Sequence, residues 1–286
     1  MADAAAAAEV AAAPTLSRHH ARGAESARGL LFTILGEFVL PAGGSAWTAS
    51  FLDLLGRLGV EQKASRQALM RTSSDGWLES ERVGRRTCWY LTPAAVGLLT
   101  EGTERIYGFT ATQQQWDGRW IIVLARVPER DRAARHLLRT RLAWAGFGSI
   151  SPGVWISTHA ERRRDAERVL DEAGVLSDAL IFDGQFLTGQ PLESAVQQAW
   201  DLVAIEARYE AFLRDFRSRT ATDPLARLTE LVHAWRRFPW IDPALPLPLL
   251  PAKWDGVRAA KLFAERHARW ADAARGEWAR LEAANR

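Results

Sequence analysis

Val60-Glu61-Gln62-Lys63-Ala64-Ser65-Arg66-Gln67-Ala68-Leu69-Met70-Arg71 opens the stretch that decides the fold, and Asp75-Gly76-Trp77-Leu78 closes its first half. The spacing predicts a basic helix stopped sharply at Gly76. Glu79 to Val83 and Thr87 to Leu91 then have strand character and are joined by Gly84-Arg85-Arg86. A helix followed at once by an arginine-tipped hairpin is how a winged helix-turn-helix meets DNA. The helix enters the major groove, and the wing reaches the backbone or the minor groove beside it. Lys63 and Gln67 lie one helical turn apart, as do Gln67 and Arg71, with Arg66 beside that stripe. Arg donates to guanine O6 and N7, and Gln pairs with adenine. Arg66 and Gln67 are therefore assigned to base reading, and Lys63 and Arg71 to phosphate positioning. Arg82, Arg85 and Arg86 crowd the wing, where like charges repel unless a polyanion sits among them, so phosphate is their expected partner. A solvated basic face is the commoner origin of such a stripe; the hairpin behind it turns the reading toward DNA.

Upstream, Leu30, Leu31, Ile34, Leu35, Phe38 and Val39 repeat at helical spacing behind Ser26, an expected N-cap. Pro41 to Ser45 reads as a loop. Trp47, Phe51, Leu54, Leu55 and Leu58 mark a second helix that ends at Gly59. Three helices and a hairpin complete the N-terminal unit, and Ala94 to Ile106 is a further helix leaving it. Downstream, Trp120 to Val127 is an apolar strand. Arg130 to Ala145 is a helix with Leu137, Leu138 and Leu142 on one face and Arg on the other. Phe147 to Ile150 and Val154 to Ser157 are strands, Glu161 to Ala173 a helix, and Ala179 to Phe182 a last strand. The order βαββαβ is ferredoxin-like. The rest is helical: Glu193 to Arg217, Pro224 to Phe238 with Asp223 as N-cap, a proline-stiffened connection over 239–251, and Asp255 to Ala284. The expectation is a multidomain α+β chain. A disordered tail spans 1–25, a winged helix-turn-helix domain 26–107, a linker 108–115, a ferredoxin-like domain 116–185 and a helical domain 186–286.

The chain has 286 residues, enough for two or three cores. Its 37 Lys and Arg against 34 Asp and Glu leave a net charge of only +3, so local clustering alone can argue for nucleic acid. One cysteine, Cys88, rules out an intrachain disulfide and fits a reducing cytoplasm. The alanine-rich start carries Asp3 and Glu9 and does not read as a secretory signal, and no apolar stretch reaches the roughly 20 residues a membrane span needs. No Ser-His-Asp arrangement, Walker loop or His/Cys metal spacing occurs, and the six histidines are scattered. Neither catalytic nor metal-binding residues nor a resident cofactor are expected.

Several short motifs resemble those of PaaX-type transcriptional regulators. They are Arg28-Gly29-Leu30-Leu31-Phe32-Thr33-Ile34-Leu35-Gly36, Phe38-Val39-Leu40-Pro41, Asp75-Gly76-Trp77-Leu78 and Trp116-Asp117-Gly118-Arg119-Trp120. Gly146-Phe147-Gly148, Pro152-Gly153-Val154-Trp155-Ile156-Ser157, Ala199-Trp200-Asp201-Leu202 and His233-Ala234-Trp235-Arg236-Arg237-Phe238-Pro239 complete the set. The resemblance implies a cytoplasmic, dimeric bacterial repressor of double-stranded operator DNA, with a central domain similar to the Cas2 fold. For the founding members it further implies control of phenylacetate breakdown and release by phenylacetyl-coenzyme A. Ser65, Thr72 and Ser73 stand where the family pattern has apolar residues, which implies looser packing of the helix or a different register on DNA.

Thirteen tryptophans are many for this length. Trp116, Trp120, Trp144, Trp155, Trp200, Trp235, Trp240 and Trp254 either line an aryl-acyl pocket or, one by one, serve as core packing. For an acyl-coenzyme A effector the candidate contacts are Arg141, Trp144, His233, Arg236 and Arg237, the arginines facing phosphates. His233 and Arg236 are three apart on one helix; a buried structural histidine is the competing reading. Two other functions stay open. One is a DNA-binding assembly protein without an effector. The other is a Cas2-like metal-dependent nuclease, disfavoured because Leu124-Ala125-Arg126-Val127-Pro128 has no carboxylate before Glu129.

Overall fold

The computed structural model describes residues 26–112, 116–127, 130–187, 189, 191–218 and 220–286. The expected tail 1–25, part of the expected linker (113–115) and the Pro128-Glu129 pair lie outside the described residues. The chain forms two compact units. The first holds the described part of Met1–Glu104 together with Thr222–His233 and Trp270–Arg286; the second holds Arg105–Ala221 and Ala234–Arg269. The region 186–286 thus contributes segments to both.

In the first unit, helix α1 (Ala27–Ile34) starts on Ser26, whose side chain accepts from Gly29 N at 3.1 Å. It runs on as a π-helical turn over Leu35–Val39. That wider turn carries Glu37, which is buried and paired with Arg275 at 3.2 Å. Strand β1 (Ser45–Trp47), helix α2 (Thr48–Arg57), helix α3 (Gln62–Ser74), strand β2 (Leu78–Val83) and strand β3 (Arg86–Leu91) follow, and helix α4 (Pro93–Tyr107) begins here. The three strands form an antiparallel sheet in the order β1-β3-β2. Ser45, expected in the loop, and Trp47, expected in the second helix, both belong to β1, because three residues are too few to show a period and only pairing with β3 makes them a strand. Leu30, Leu31, Ile34, Leu35, Phe51, Leu54, Leu55 and Leu69 are buried at the centre. Trp278 joins them, stacked on Phe38 at 5.6 Å and edge-on to Phe51 at 6.0 Å.

The second unit is built on a four-stranded antiparallel sheet. Its elements are strand β4 (Arg119–Leu124), helix α5 (Arg132–Trp144), strands β5 (Gly148–Ser151) and β6 (Val154–Ser157), helix α6 (Arg163–Glu172) and strand β7 (Leu180–Gln185). The spatial order is β5-β6-β4-β7. Ile121, Val123 and Trp155 from the sheet pack with Leu138 and Leu142 of α5 and Val169 and Leu170 of α6 in one core. Beyond it come α7 (Leu192–Ala199), α8 (Leu202–Phe216), α9 (Pro224–Trp235), α10 (Phe238–Ile241) and α11 (Asp255–Asn285), of which α9 and α11 are shared with the first unit.

The single helix expected over Glu193 to Arg217 is in fact broken. Trp200 is extended (φ −137°, ψ 140°), and Asp201 caps a new helix by accepting from Ala204 N at 2.9 Å. Trp200 stacks on Trp120 at 6.5 Å and lies against Gly148, where a Cβ would come within 2.5 Å of its ring. Gly148 is therefore the residue that lets this tryptophan dock on the sheet. The proline-rich connection is also less extended than expected. It contains α10 and a 3₁₀ turn over Leu247–Leu249, and it buries Asp242 against Tyr209 (Oη to Oδ2, 2.5 Å). Burial pushes the Asp242 carboxyl up to about 7.

Candidate DNA-binding face

Helix α3 buries one side and leaves the other outside. Ser65, Ala68, Leu69 and Thr72, spaced i, i+3, i+4, i+7, are buried, while Lys63, Arg66, Gln67, Met70 and Arg71 are exposed. The four residues assigned to DNA thus share one uncovered side. The buried hydroxyls are satisfied within the helix itself: Ser65 Oγ donates to Glu61 O at 3.1 Å and Thr72 Oγ1 to Ala68 O at 2.8 Å. Both residues are fully buried, so hydroxyl groups in place of apolar ones have not opened the packing of α3 on α1 and α2.

Gly76 ends α3 by taking a positive φ of 78°, with Gly76 N bonded to Ser73 O at 2.9 Å and Trp77 N to Thr72 O at 3.0 Å. Trp77 then buries itself edge-on to Phe32 at 6.2 Å, and Arg28 pairs with Asp75 at 2.5 Å. These contacts tie the end of α3 to the start of α1, and no sequence spacing announces the Arg28–Asp75 pair. On the exposed side, Arg71 Nη2 donates to Gln67 Oε1 at 3.2 Å, which orients the amide. Met70, 62 % exposed in the middle of this polar side, went unread in the sequence although it lies on the same stripe as Arg66.

The hairpin turn is tighter than the three residues expected. Val83 pairs with Arg86, so only Gly84 and Arg85 form the turn, with φ positive (62°) at Gly84 alone, as in a type II′ turn. The register also separates the arginines. Arg82 opposes Thr87 and Arg86 opposes Val83, which puts Arg82 and Arg86 on opposite faces of the ribbon. Arg82 Nε donates to Gly84 O at 3.2 Å, and Arg85 is exposed at the tip. Arg86 instead donates to the main-chain carbonyls of Asn285 and Arg286. Its guanidinium answers the carbonyl end of α11.

The candidate effector residues are spread over both units. His233 belongs to the first, buried, with Nδ1 2.9 Å from Thr33 Oγ1. In the second unit Arg141 pairs with Glu172 at 2.9 Å. Trp144 and Trp240 are both partly exposed and meet edge to face at 6.5 Å. Arg105, unread in the sequence, lies over the Trp240 ring at 3.8 Å and donates to Trp144 O and Pro239 O. Burial, with Arg162 nearby, pulls its pKa down to about 10. Arg236 is also lowered to about 10 by burial and then by Arg237, which is exposed at the start of α10. Of the eight tryptophans considered for an aryl pocket, Trp120, Trp155, Trp235 and Trp254 are buried in packing.

Among the described residues no group of three or more His, Cys, Asp and Glu is placed to hold a metal ion, and no helix is long and apolar enough to cross a membrane.

The fold and these faces define a multidomain protein of mixed helix and sheet, and comparison with known proteins gives its parts a common origin. Residues 26–95 match the PaaX-like protein family, 113–216 the PaaX protein central Cas2-like domain, and 200–280 the PaaX-like protein C-terminal domain. The transcriptional repressor PaaX of Escherichia coli (strain K12) is 32% identical over 263 residues, covering 87% of this chain and 82% of that protein. The chain belongs to the PaaX family of transcriptional regulators. The uncharacterized protein Rv0674 from Mycobacterium tuberculosis shares the fold, with a TM-score of 0.58 at 21% identity over 91% of this chain and 98% of that one.

Proposed function

We propose that this chain is a sequence-specific DNA-binding repressor, cytoplasmic and homodimeric, and that it performs no catalysis. In this reading α1 to α3 with the β2–β3 hairpin act as a winged helix-turn-helix. The βαββαβ unit, whose order β5-β6-β4-β7 agrees with a ferredoxin-like sheet, carries the response to an effector. The observation that carries the reading is the uncovered side of α3, where Lys63, Arg66, Gln67 and Arg71 project together while the opposite side is packed into the unit. The repressor name of the Escherichia coli relative supports it. Arg66 and Gln67 read base edges in the major groove, and Lys63 and Arg71 hold phosphates. Arg82 and Arg85 reach phosphate from the wing, while Arg86 props the ribbon against α11. The effector is an aryl-acyl-coenzyme A such as phenylacetyl-coenzyme A, with Arg141, Trp144, Arg236 and Arg237 as contacts in the second unit and His233 as a structural partner of Thr33.

A mobility-shift titration on the DNA upstream of the chain's own gene, with and without phenylacetyl-coenzyme A, tests this. Specific binding released by the thioester is expected. Specific binding indifferent to the thioester would keep the DNA-binding regulator and remove phenylacetyl-coenzyme A as its effector. No preference for that DNA or any other promoter over random sequence would remove the repressor reading.

A further inference from the structure

Helix α5 turns Ala134, Leu138 and Leu142 into the core of the second unit and presents a different face to a cleft of about 970 Å³. Arg132, Arg135, His136 and Arg139 line that cleft from one side of the helix, at i, i+3, i+4 and i+7. Arg126, just past β4, adds another cation, and the β5–β6 turn forms the facing wall. Gly153 shapes that wall. Its φ is +82°, its carbonyl accepts from Ala125 N at 3.0 Å, and a Cβ there would meet Ala125 O at 2.9 Å. The buried faces of Leu138 and Trp155 supply apolar lining.

Several helical arginines of this unit are held by an acid: Arg141 pairs with Glu172, Arg163 with Glu167 and Arg168 with Asp165. Arg126, Arg132 and Arg139 form no ion pair among the described residues. Cations one and two turns apart repel one another, and a ligand of opposite charge relieves that repulsion. From Arg132 to Arg139 the helix rises about 10 Å. That is longer than one phosphate or a pyrophosphate needs, and the cleft volume is at the upper end of small-molecule sites.

We propose that this cleft binds a nucleotide-sized ligand that carries phosphate groups at two separated positions, held by Arg126, Arg132 and Arg139. Guanidinium groups suit this role because each offers paired N–H donors to phosphate oxygens. The proposal deepens the effector reading but moves the phosphate-bearing half of an acyl-coenzyme A from Arg141, Arg236 and Arg237, none of which lines this cleft, to Arg126, Arg132 and Arg139, and it rests on that reading only for the acyl end.

The test is isothermal titration of the full-length protein with adenosine 3′,5′-bisphosphate, without DNA. Binding is expected, at least tenfold weaker in the Arg132→Gln/Arg139→Gln variant and, independently, weaker in Arg126→Gln, with the melting temperature held. Arg163→Gln, which removes an arginine outside the cleft, should bind as the native chain does. No binding by the native protein, or undiminished binding in both cleft variants, overturns the proposal. It is also overturned if duplex DNA displaces the bisphosphate and loses its own affinity in the same variants, because the cleft then belongs to nucleic acid. If the bisphosphate binds at the cleft but phenylacetyl-coenzyme A leaves DNA binding unaltered, the cleft stands and the effector reading falls.

Discussion

Helices α3 and α5 are both 13 residues long and both carry an exposed basic side, yet they are made differently. The outer side of α3 mixes Lys63 and Arg66 with the amide of Gln67 and the thioether of Met70. Its inner side is small and partly hydroxylic, with Ser65 and Thr72 bonded to their own helix. The outer side of α5 in the cleft carries three arginines, Arg132, Arg135 and Arg139, with the imidazole of His136 among them, and its inner side is anchored by fully buried Leu138 and Leu142. A mixture of donors, acceptors and apolar groups can tell one base edge from another, whereas a face of guanidinium groups alone offers only donors and suits an anion such as phosphate. A basic helix face is therefore to be read by what stands between its cations. On that ground the proposed roles differ, with α3 as a sequence reader and α5 as a phosphate holder.

The contrast in anchoring can be broken first. Leu138→Ala should cost about 2–5 kcal/mol of unfolding free energy in a denaturant titration, through lost burial and the cavity left behind. A loss below about 1 kcal/mol would mean that α5 is not held by its leucines. Next in size is the reading role of α3. Arg66→Ala should weaken operator binding by about 1–3 kcal/mol and leave random DNA nearly unaffected. Equal losses on both DNAs would place α3 in the same phosphate-holding class as α5. Lys63→Ala should instead weaken all sequences alike and lower the slope of log affinity against log salt by about 1, as one phosphate contact is removed. An unchanged slope would take Lys63 off the backbone. The smallest effect belongs to the inner side of α3. Thr72→Val should change stability by less than about 1 kcal/mol, because Ala68 O keeps its own helical bond when the hydroxyl goes. A loss well beyond that would show that the hydroxyl supports packing outside its own helix.

Much of the local architecture was legible because its causes are local. Ser26 and Asp223 cap helices as their residue types foretell, with bonds of 3.1 and 2.9 Å, and Gly76 ends α3 where a positive φ is needed. The Lys63, Arg66, Gln67 and Arg71 side of α3 follows from helical periodicity alone. Other features were not legible because their partners are distant in sequence. Strand β1 exists through pairing with residues some 40 positions later, and the break at Trp200 through its contact with Trp120 and Gly148. The hairpin arginines looked equivalent until the pairing register put Arg82 and Arg86 on opposite faces and gave Arg86 the carbonyls of Asn285 and Arg286.

Most helix and strand positions, the polar side of α3 and the motifs that tie the chain to the PaaX family can be read along the chain. Those properties depend on spacing, capping and short-range backbone preference, and all of them act over a few residues. Folding in three dimensions settled which arginines are already paired and which remain available to a ligand. It also decided that 270–286 completes the core of the first unit, and that the cations of α5 share one cleft with Arg126. The physical reason is that an ion pair, a buried ring contact or a cleft is set by separation in space, and distance along the chain does not encode it.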